Sequence, residues 1–266
     1  EIELTLLIEA IYYRWGYDFR DYARTSLKRR ILRVVQHERL SSISALQELI
    51  LRDAYSMQRF LDSVTVGYTS MFRDPSFYHA FRNTALTLLK NKKSLRLWHI
   101  GCASGEEVYS MAIVLLEEGL LARTRIYATD INQGLLSVAT AGIYPLEKMK
   151  EYTKHYQESG GRATFSEYYH AHGDQVIMNA ELTKNVVWAQ HNLVTDSSFN
   201  EFNLILCRNV LFYFNDFLQD RIHRLIYDSL ITEGLLVLGH QEILMAPYIA
   251  DYVSLDCNEK IYKKIH

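Results

Sequence analysis

The sequence predicts an α/β domain on a parallel sheet, preceded by a helical domain and interrupted by a small antiparallel β insertion. Three observations predict it. Up to about residue 81 the apolar residues recur at helical spacing. From Leu95 onward short apolar runs alternate with helical segments, the grammar of parallel strands joined by crossover helices. Residues 144–192 then break that rhythm with glycine pairs and period-two runs.

In the helical part, Leu4, Leu7, Ile8 and Ile11 share one face, and Leu46, Leu49, Ile50, Phe60 and Leu61 repeat the spacing in later segments. Ser41 to Ser44 supply capping residues for a new helix. In the α/β part, runs at 95–100, 125–129, 204–206 and 235–238 read as strands, and runs at 108–117, 135–141 and 218–230 read as helices. The intervening stretch reads as a helix followed by the β insertion, with Gly160-Gly161 and Gly173-Asp174 as turns and runs 175–178 and 185–188 as its strands. With no repeat and no low-complexity linker, the helical and α/β parts are expected to pack together. The expected division is a helical domain with its linker over 1–82 and the α/β domain over 83–266, with the insertion at about 145–191.

Length and composition bound the class. With 266 residues, 48% of them apolar, the chain can bury one large core or two modest ones. No stretch approaches the roughly 18 to 20 uncharged residues of a membrane span, so no membrane insertion is expected. The opening Glu1-Ile2-Glu3 has neither an initiator Met nor a secretory layout, which suggests a longer reading frame. Cys102, Cys207 and Cys257 are too few and too scattered for a disulfide framework and point to a reducing cytoplasm. A net charge of −2 leaves no bulk attraction for nucleic acid.

The chemistry begins after the strand Leu95–Ile100, which runs into Gly101-Cys102-Ala103-Ser104-Gly105 and then a helix. Such a turn lets backbone approach a ligand at the carboxyl ends of the strands, although it can also serve only to pack helix on strand. Asp130, at the end of the next strand, could accept from both hydroxyls of a ribose, or could cap the helix from Asn132 onward. The turn lacks the Gly-x-Gly-x-x-Gly pattern of dinucleotide folds, so an adenosine without a pyrophosphate fits better than a nicotinamide cofactor.

The run Cys102-Ala103-Ser104-Gly105-Glu106-Glu107-Val108-Tyr109-Ser110 resembles the Cys-x-x-Gly-Glu-Glu-x-Tyr-Ser signature of CheR methyltransferases. Three further blocks agree in order: Thr69-Ser70-Met71-Phe72-Arg73-Asp74; Ala128-Thr129-Asp130-Ile131-Asn132 with Ala141-Gly142-Ile143-Tyr144; and Cys207-Arg208-Asn209-Val210-Leu211-Phe212-Tyr213-Phe214. The resemblance implies a class I, Rossmann-like methyltransferase domain that transfers a methyl group from S-adenosylmethionine to glutamate carboxylates of a chemoreceptor-like protein, leaving S-adenosylhomocysteine. It also implies that Thr69, Arg73, Gly101, Glu107, Asp130, Asn192, Leu193, Arg208 and Asn209 line the cofactor pocket, and that Tyr213 is an active-site tyrosine. Gly67 departs from the pattern, since many members carry an Asn there. A regulatory S-adenosylmethionine-binding module, or a methyltransferase for RNA or a small molecule, are the competing functions.

An ionised carboxylate facing a sulfonium needs little help from a base, so positioning is the main task. Arg73 offers a planar fork for either the methionine carboxylate or the substrate glutamate, and Arg73 and Tyr213 are the candidate catalytic residues. No metal is expected; His170, His172, His191 and Asp174 match no zinc spacing. Cys102 and Cys207 read as small packing residues. Arg24, Lys28, Arg29 and Arg33 would form a basic helix face, either merely solvated or, as the resemblance implies, docking the acidic cytoplasmic helical region of a receptor. Within the family the β insertion can tether a receptor tail. The expected enzyme is a monomer.

Overall fold

The computed structural model describes residues 1–65, 67 and 69–266. Leu4, Leu7, Ile8 and Ile11 fall on one buried side of α1 (Ile2–Trp15), which stops at Gly16 in the left-handed conformation. α2 (Arg24–His37) buries Leu27, Ile31, Val34 and Val35 and leaves Arg24, Arg29 and Arg33 exposed. Ser42 caps α3 (Ile43–Arg52) by accepting from the Ala45 N–H, and Asp53 caps α4 (Ala54–Val64) through the Tyr55 and Ser56 N–H groups. These helices close around one apolar core. α5 (Pro75–Asn83) and α6 (Ala85–Lys90) then lead into the sheet.

The main sheet contains β1 (Leu95–Ile100), β2 (Thr124–Asp130), β6 (Val186–Gln190), β7 (Phe202–Cys207), β8 (Leu230–Leu238), β9 (Tyr252–Asp256) and β10 (Ile261–Lys264), in the order β6-β2-β1-β7-β8-β10-β9. β6, β2, β1, β7 and β8 run parallel, while β10 is antiparallel to its neighbours β8 and β9. Successive residues feed opposite layers: Leu97, Leu204 and Leu235 join one core, and Trp98, Ile205 and Leu236 the other. α7 (Glu106–Glu117), α8 (Gln133–Ala141) and α10 (Asp216–Ser229) supply the helices between strands. Strand order reverses between β1 and β7, and a ligand crevice is expected at their carboxyl ends.

The insertion holds β3 (Ile143–Pro145), α9 (Met149–Glu158), β4 (Tyr169–His172) and β5 (Gln175–Met178), its antiparallel sheet ordered β3-β5-β4. One expectation is corrected here. The run 185–188 does not belong to this small sheet, because β6 pairs in parallel with β2, from Ile126↔Val186 to Asp130↔Gln190. A short period-two run carries no signal of which sheet it joins. The insertion is fixed to the domain through Glu117 of α7, whose side chain is 5% exposed. Its carboxylate takes hydrogen bonds from Arg82, Tyr156, Tyr168 at 2.9 Å and the Arg162 N–H at 3.0 Å.

The helical part is latched to the α/β part beside the crevice. The Ala23 N–H donates to the Tyr213 carbonyl at 2.8 Å, the Asn215 N–H to the Asp21 carbonyl at 2.9 Å, and Tyr22 bridges Phe214. Asn132, fully buried, donates from Nδ2 to Asp62 at 3.0 Å and Thr65 at 2.9 Å.

Candidate functional site

The turn after β1 needs its glycines. Gly101 has φ +64, and a Cβ there would lie 2.6 Å from Cγ2 of Val210; at Gly105, φ +91, it would lie 2.8 Å from the Ala139 Cβ. Asp130 braces the turn from the next strand. Its Oδ2 accepts from the Ala103 N–H and its Oδ1 from the Asn132 N–H, both at 2.9 Å. Burial raises its pKa, and the backbone N–H groups of Asn132, Ala103 and Ile131 pull it back toward the charged form. The cap of α8 is Asn132, not Asp130, which corrects the capping alternative.

Two adjoining hollows open beside this turn, of about 700 and 430 Å³ counting their mouths. Asp130, Asn192 and Leu193 border the larger, with Ile131, Val194 and Val210 as apolar wall. Thr69, Arg73, Glu107 and Arg208 border the smaller, with His99 at its side. Gly101, Asn209 and Tyr213 line both, so the two hollows adjoin as one cleft, whose junction, with Tyr213 in its wall, is called the elbow below. Every residue expected to line a cofactor pocket therefore lies along this cleft.

Arg208 is held more tightly than its position in the motif suggested. Its Nη1 donates to Glu107 at 2.7 Å and its Nη2 to Asp74 at 2.8 Å, while the guanidinium lies 4.2 Å from the Phe77 ring centre. Its fork is thus engaged by protein carboxylates, one of them Glu107 of the same hollow. Burial raises the Glu107 pKa, while Arg208 and Arg73 favour its ionised form. Phe72, Asp74, Ala103 and Asn209, non-glycine residues with φ between +48 and +63, all belong to segments around this cleft. Such backbone is costly and tends to collect at binding sites.

The loop carrying Asn209 and Tyr213 is gripped from behind by Glu242, which is 3% exposed. Its carboxylate accepts from the N–H groups of Asn209, Val210, Leu211 and Gly239 at 2.5 to 3.0 Å. At the front, the Arg30 guanidinium covers the Tyr213 ring at 4.5 Å and donates to the Val64 carbonyl at 2.8 Å. Burial raises the Tyr213 pKa and the nearby Arg30 and Arg73 cations lower it. Cys102 and Cys207 are buried, which pushes both thiols well up and away from thiolate chemistry.

Residues 67–255 match the family model described as the CheR methyltransferase SAM-binding domain, and residues 2–65 match the CheR methyltransferase all-alpha domain. The chain belongs to the CheR methyltransferase family. It is an S-adenosylmethionine-dependent methyltransferase. It is 46% identical to the putative methyltransferase Cher3 of Pseudomonas putida (strain KT2440), over 99% of this chain and 97% of that protein. It is 30% identical to the chemotaxis protein methyltransferase of Listeria innocua, over 94% and 92%. The chemotaxis protein methyltransferase of Escherichia coli K12 is also 30% identical, over 88% and 82%.

In this CheR-family chain Arg24, Lys28, Arg29 and Arg33 border one shallow groove along α2, away from the cleft. Lys28 pairs with Glu1 at 2.7 Å, and Arg24 reaches the Thr5 hydroxyl at 3.5 Å. Arg30, in the same basic run, turns the other way and enters the cleft. Sequence reasoning missed it, along with Tyr22 and Thr65 from the helical part, His99 in β1, His191 just after β6, and Glu242 behind the Asn209 loop. Helical phase was the available signal for Arg30, since it precedes the buried Ile31 and lies three residues after the buried Leu27. No helix among the described residues is long and apolar enough to cross a membrane.

Proposed function

We propose that this enzyme methylates glutamate side-chain carboxylates in the cytoplasmic helical region of a chemoreceptor-like protein, forming glutamyl methyl esters and S-adenosylhomocysteine. The larger hollow, with one carboxylate and apolar walls, suits an adenosine: Asp130 would take the ribose hydroxyls, and Asn192 and Leu193 would flank the base. The smaller hollow, with the cation of Arg73 opposite the carboxylate of Glu107, suits the zwitterionic methionine end. The tight turn at Gly101 leaves room for a ligand between them. When bound, S-adenosylmethionine supplies a methyl group activated by its sulfonium.

The observation that carries the reading is the elbow of the cleft, where Tyr213 lies under the influence of the Arg30 and Arg73 cations. Cations and a phenol there attract and orient a carboxylate, which is its own nucleophile. An RNA base or an alcohol would instead need a group to take its proton. His99, the histidine of the smaller hollow, is held neutral by burial, with its pKa down to about 3. The groove of Arg24, Lys28, Arg29 and Arg33 would dock an acidic helical bundle and so bring glutamates to the elbow.

The test is single-turnover transfer of labelled methyl from S-adenosylmethionine to receptor cytoplasmic fragments. Base-labile label is expected, with Arg73→Ala severely slowed and Arg73→Lys rescuing little, because a point charge cannot replace a fork. The wild-type rate should show no histidine-like limb between about pH 6 and 8. Base-stable label, or preference for RNA or a small molecule, would refute the substrate assignment.

A further inference from the structure

Tyr213 rides on a single helical turn, Leu211–Tyr213, which begins just after Asn209, a residue in the left-handed conformation at φ +63. A lone turn is a poor holder of its own shape, because it fixes several dihedrals for very few hydrogen bonds. Here the Tyr213 N–H donates to the Val210 carbonyl at 3.2 Å and the Phe214 N–H to the Leu211 carbonyl at 3.0 Å. The N–H groups that lead into the turn have no acceptor within it and need one from elsewhere.

Glu242 is that acceptor. Its Oε1 takes the Val210 and Leu211 N–H groups, both at 2.7 Å, and its Oε2 takes those of Asn209 at 3.0 Å and Gly239 at 2.5 Å. Two donors on each oxygen is a demand that a carboxylate meets and an amide does not, since an amide turned either way faces two N–H groups with its own NH2. The anchor is rigid: β7 and β8 stay paired up to Cys207↔Leu238, and Glu242 staples the two chains together just where they leave the sheet. Gly239 makes room for the staple, because a Cβ there would lie 2.9 Å from both the Asn209 nitrogen and Oε2 of Glu242. Glu242 itself lines neither hollow, so its influence on the cleft runs through the turn.

We infer that Glu242 is a positioning residue for methyl transfer, fixing this turn so that the Tyr213 hydroxyl meets the substrate carboxylate at the elbow. This rests on the proposal above that the elbow orients that carboxylate. Of the residues expected to line the cofactor pocket, only Asn209 lies on the stapled segment, so the effect falls on the reaction rather than on cofactor binding.

The experiment is a double-mutant cycle on the single-turnover rate at saturating S-adenosylmethionine and receptor fragment, with Glu242→Gln, Tyr213→Phe and the two combined. Glu242→Gln should slow transfer about 100-fold and leave S-adenosylhomocysteine affinity within about 3-fold of the wild type. In the Tyr213→Phe background, already slow, the same substitution should cost less than about 3-fold, because a hydroxyl that is gone cannot be misplaced. Urea denaturation should record the same loss from Glu242→Gln in both backgrounds, so the stability effect adds where the rate effect does not. If Glu242→Gln fails to fold, Gly239→Ala wedges the staple from the other side while keeping the carboxylate, and the same pattern is expected of it. A rate loss of equal size with and without the Tyr213 hydroxyl would make Glu242 a structural residue and overturn the inference. Weakened cofactor binding with an unchanged rate at saturation would overturn it in favour of a support for the cofactor pocket. Full activity in Tyr213→Phe would defeat the reading of the elbow, and the role of Glu242 with it.

Discussion

Ala23→Pro would cut a single hydrogen bond between the helical part and the cleft. The Ala23 N–H donates to the Tyr213 carbonyl at 2.8 Å, and proline has no N–H. The backbone can accept the change: Ala23 has φ −58, inside proline's range of about −65 ± 15°. Tyr22 before it sits in a β-bridge, the extended conformation favoured ahead of proline. Losing the bond should cost about 0.5–1.5 kcal/mol, while stiffening the unfolded chain returns about 0.4–1 kcal/mol. Global stability by urea denaturation should therefore stay within about 1 kcal/mol of the wild type. Turnover should not stay unchanged, because Tyr213 loses a backbone anchor at the elbow and small displacements there are expensive, roughly 10-fold or more in single-turnover rate. A rate within about twofold of the wild type would refute the claim that the helical part positions Tyr213.

Asp130→Ala should weaken S-adenosylhomocysteine by about 1.5–3 kcal/mol if its ribose bonds are charge-assisted, and calorimetry showing unchanged affinity would remove it from the site. Arg29→Glu with Arg33→Glu should slow methylation of a receptor fragment and leave cofactor affinity intact, with rising salt acting similarly on the wild type; if neither matters, the α2 groove is only a solvated face. Affinity for S-adenosylhomocysteine should rise with pH through the window just above the ordinary glutamate range. Burial raises the Glu107 pKa there, and only its ionised form can pair with an ammonium. Calorimetry from about pH 5 to 8 should show this slope, reduced in Glu107→Gln, and an affinity that falls as pH rises would contradict it.

Much of the cleft was legible because it is built from local signals. A glycine turn between strand and helix, an acid at the end of the next strand and an ordered set of motif blocks each occupy a few consecutive residues. What sequence could not supply was partnership across distance. Arg208 reads as a free fork in its motif, yet Glu107 and Asp74, 101 and 134 residues away, occupy both its terminal nitrogens. Glu242 reads as one acid in a loop, and only folding gathers four N–H groups around it. Edge strand β6 was assigned to the wrong sheet for the same reason: its apolar residues fit either, and pairing with β2 is a long-range choice. Arg30 was hidden by its neighbours, since a dense basic run looks uniform until helical phase divides it.

The Glu117 cluster has a consequence for swapping parts between relatives. The insertion enters after Gly142 and leaves before β6, so two peptide joints would seem to suffice for grafting in a different one. They would not, because the recipient's α7 would keep a nearly buried carboxylate and lose the Tyr156, Tyr168 and Arg162 donors together. Each missing donor to such a group costs on the order of 1–3 kcal/mol, a large share of what an ordinary domain has to spare. The natural cut for a chimera therefore runs through space, taking α7 along with the insertion.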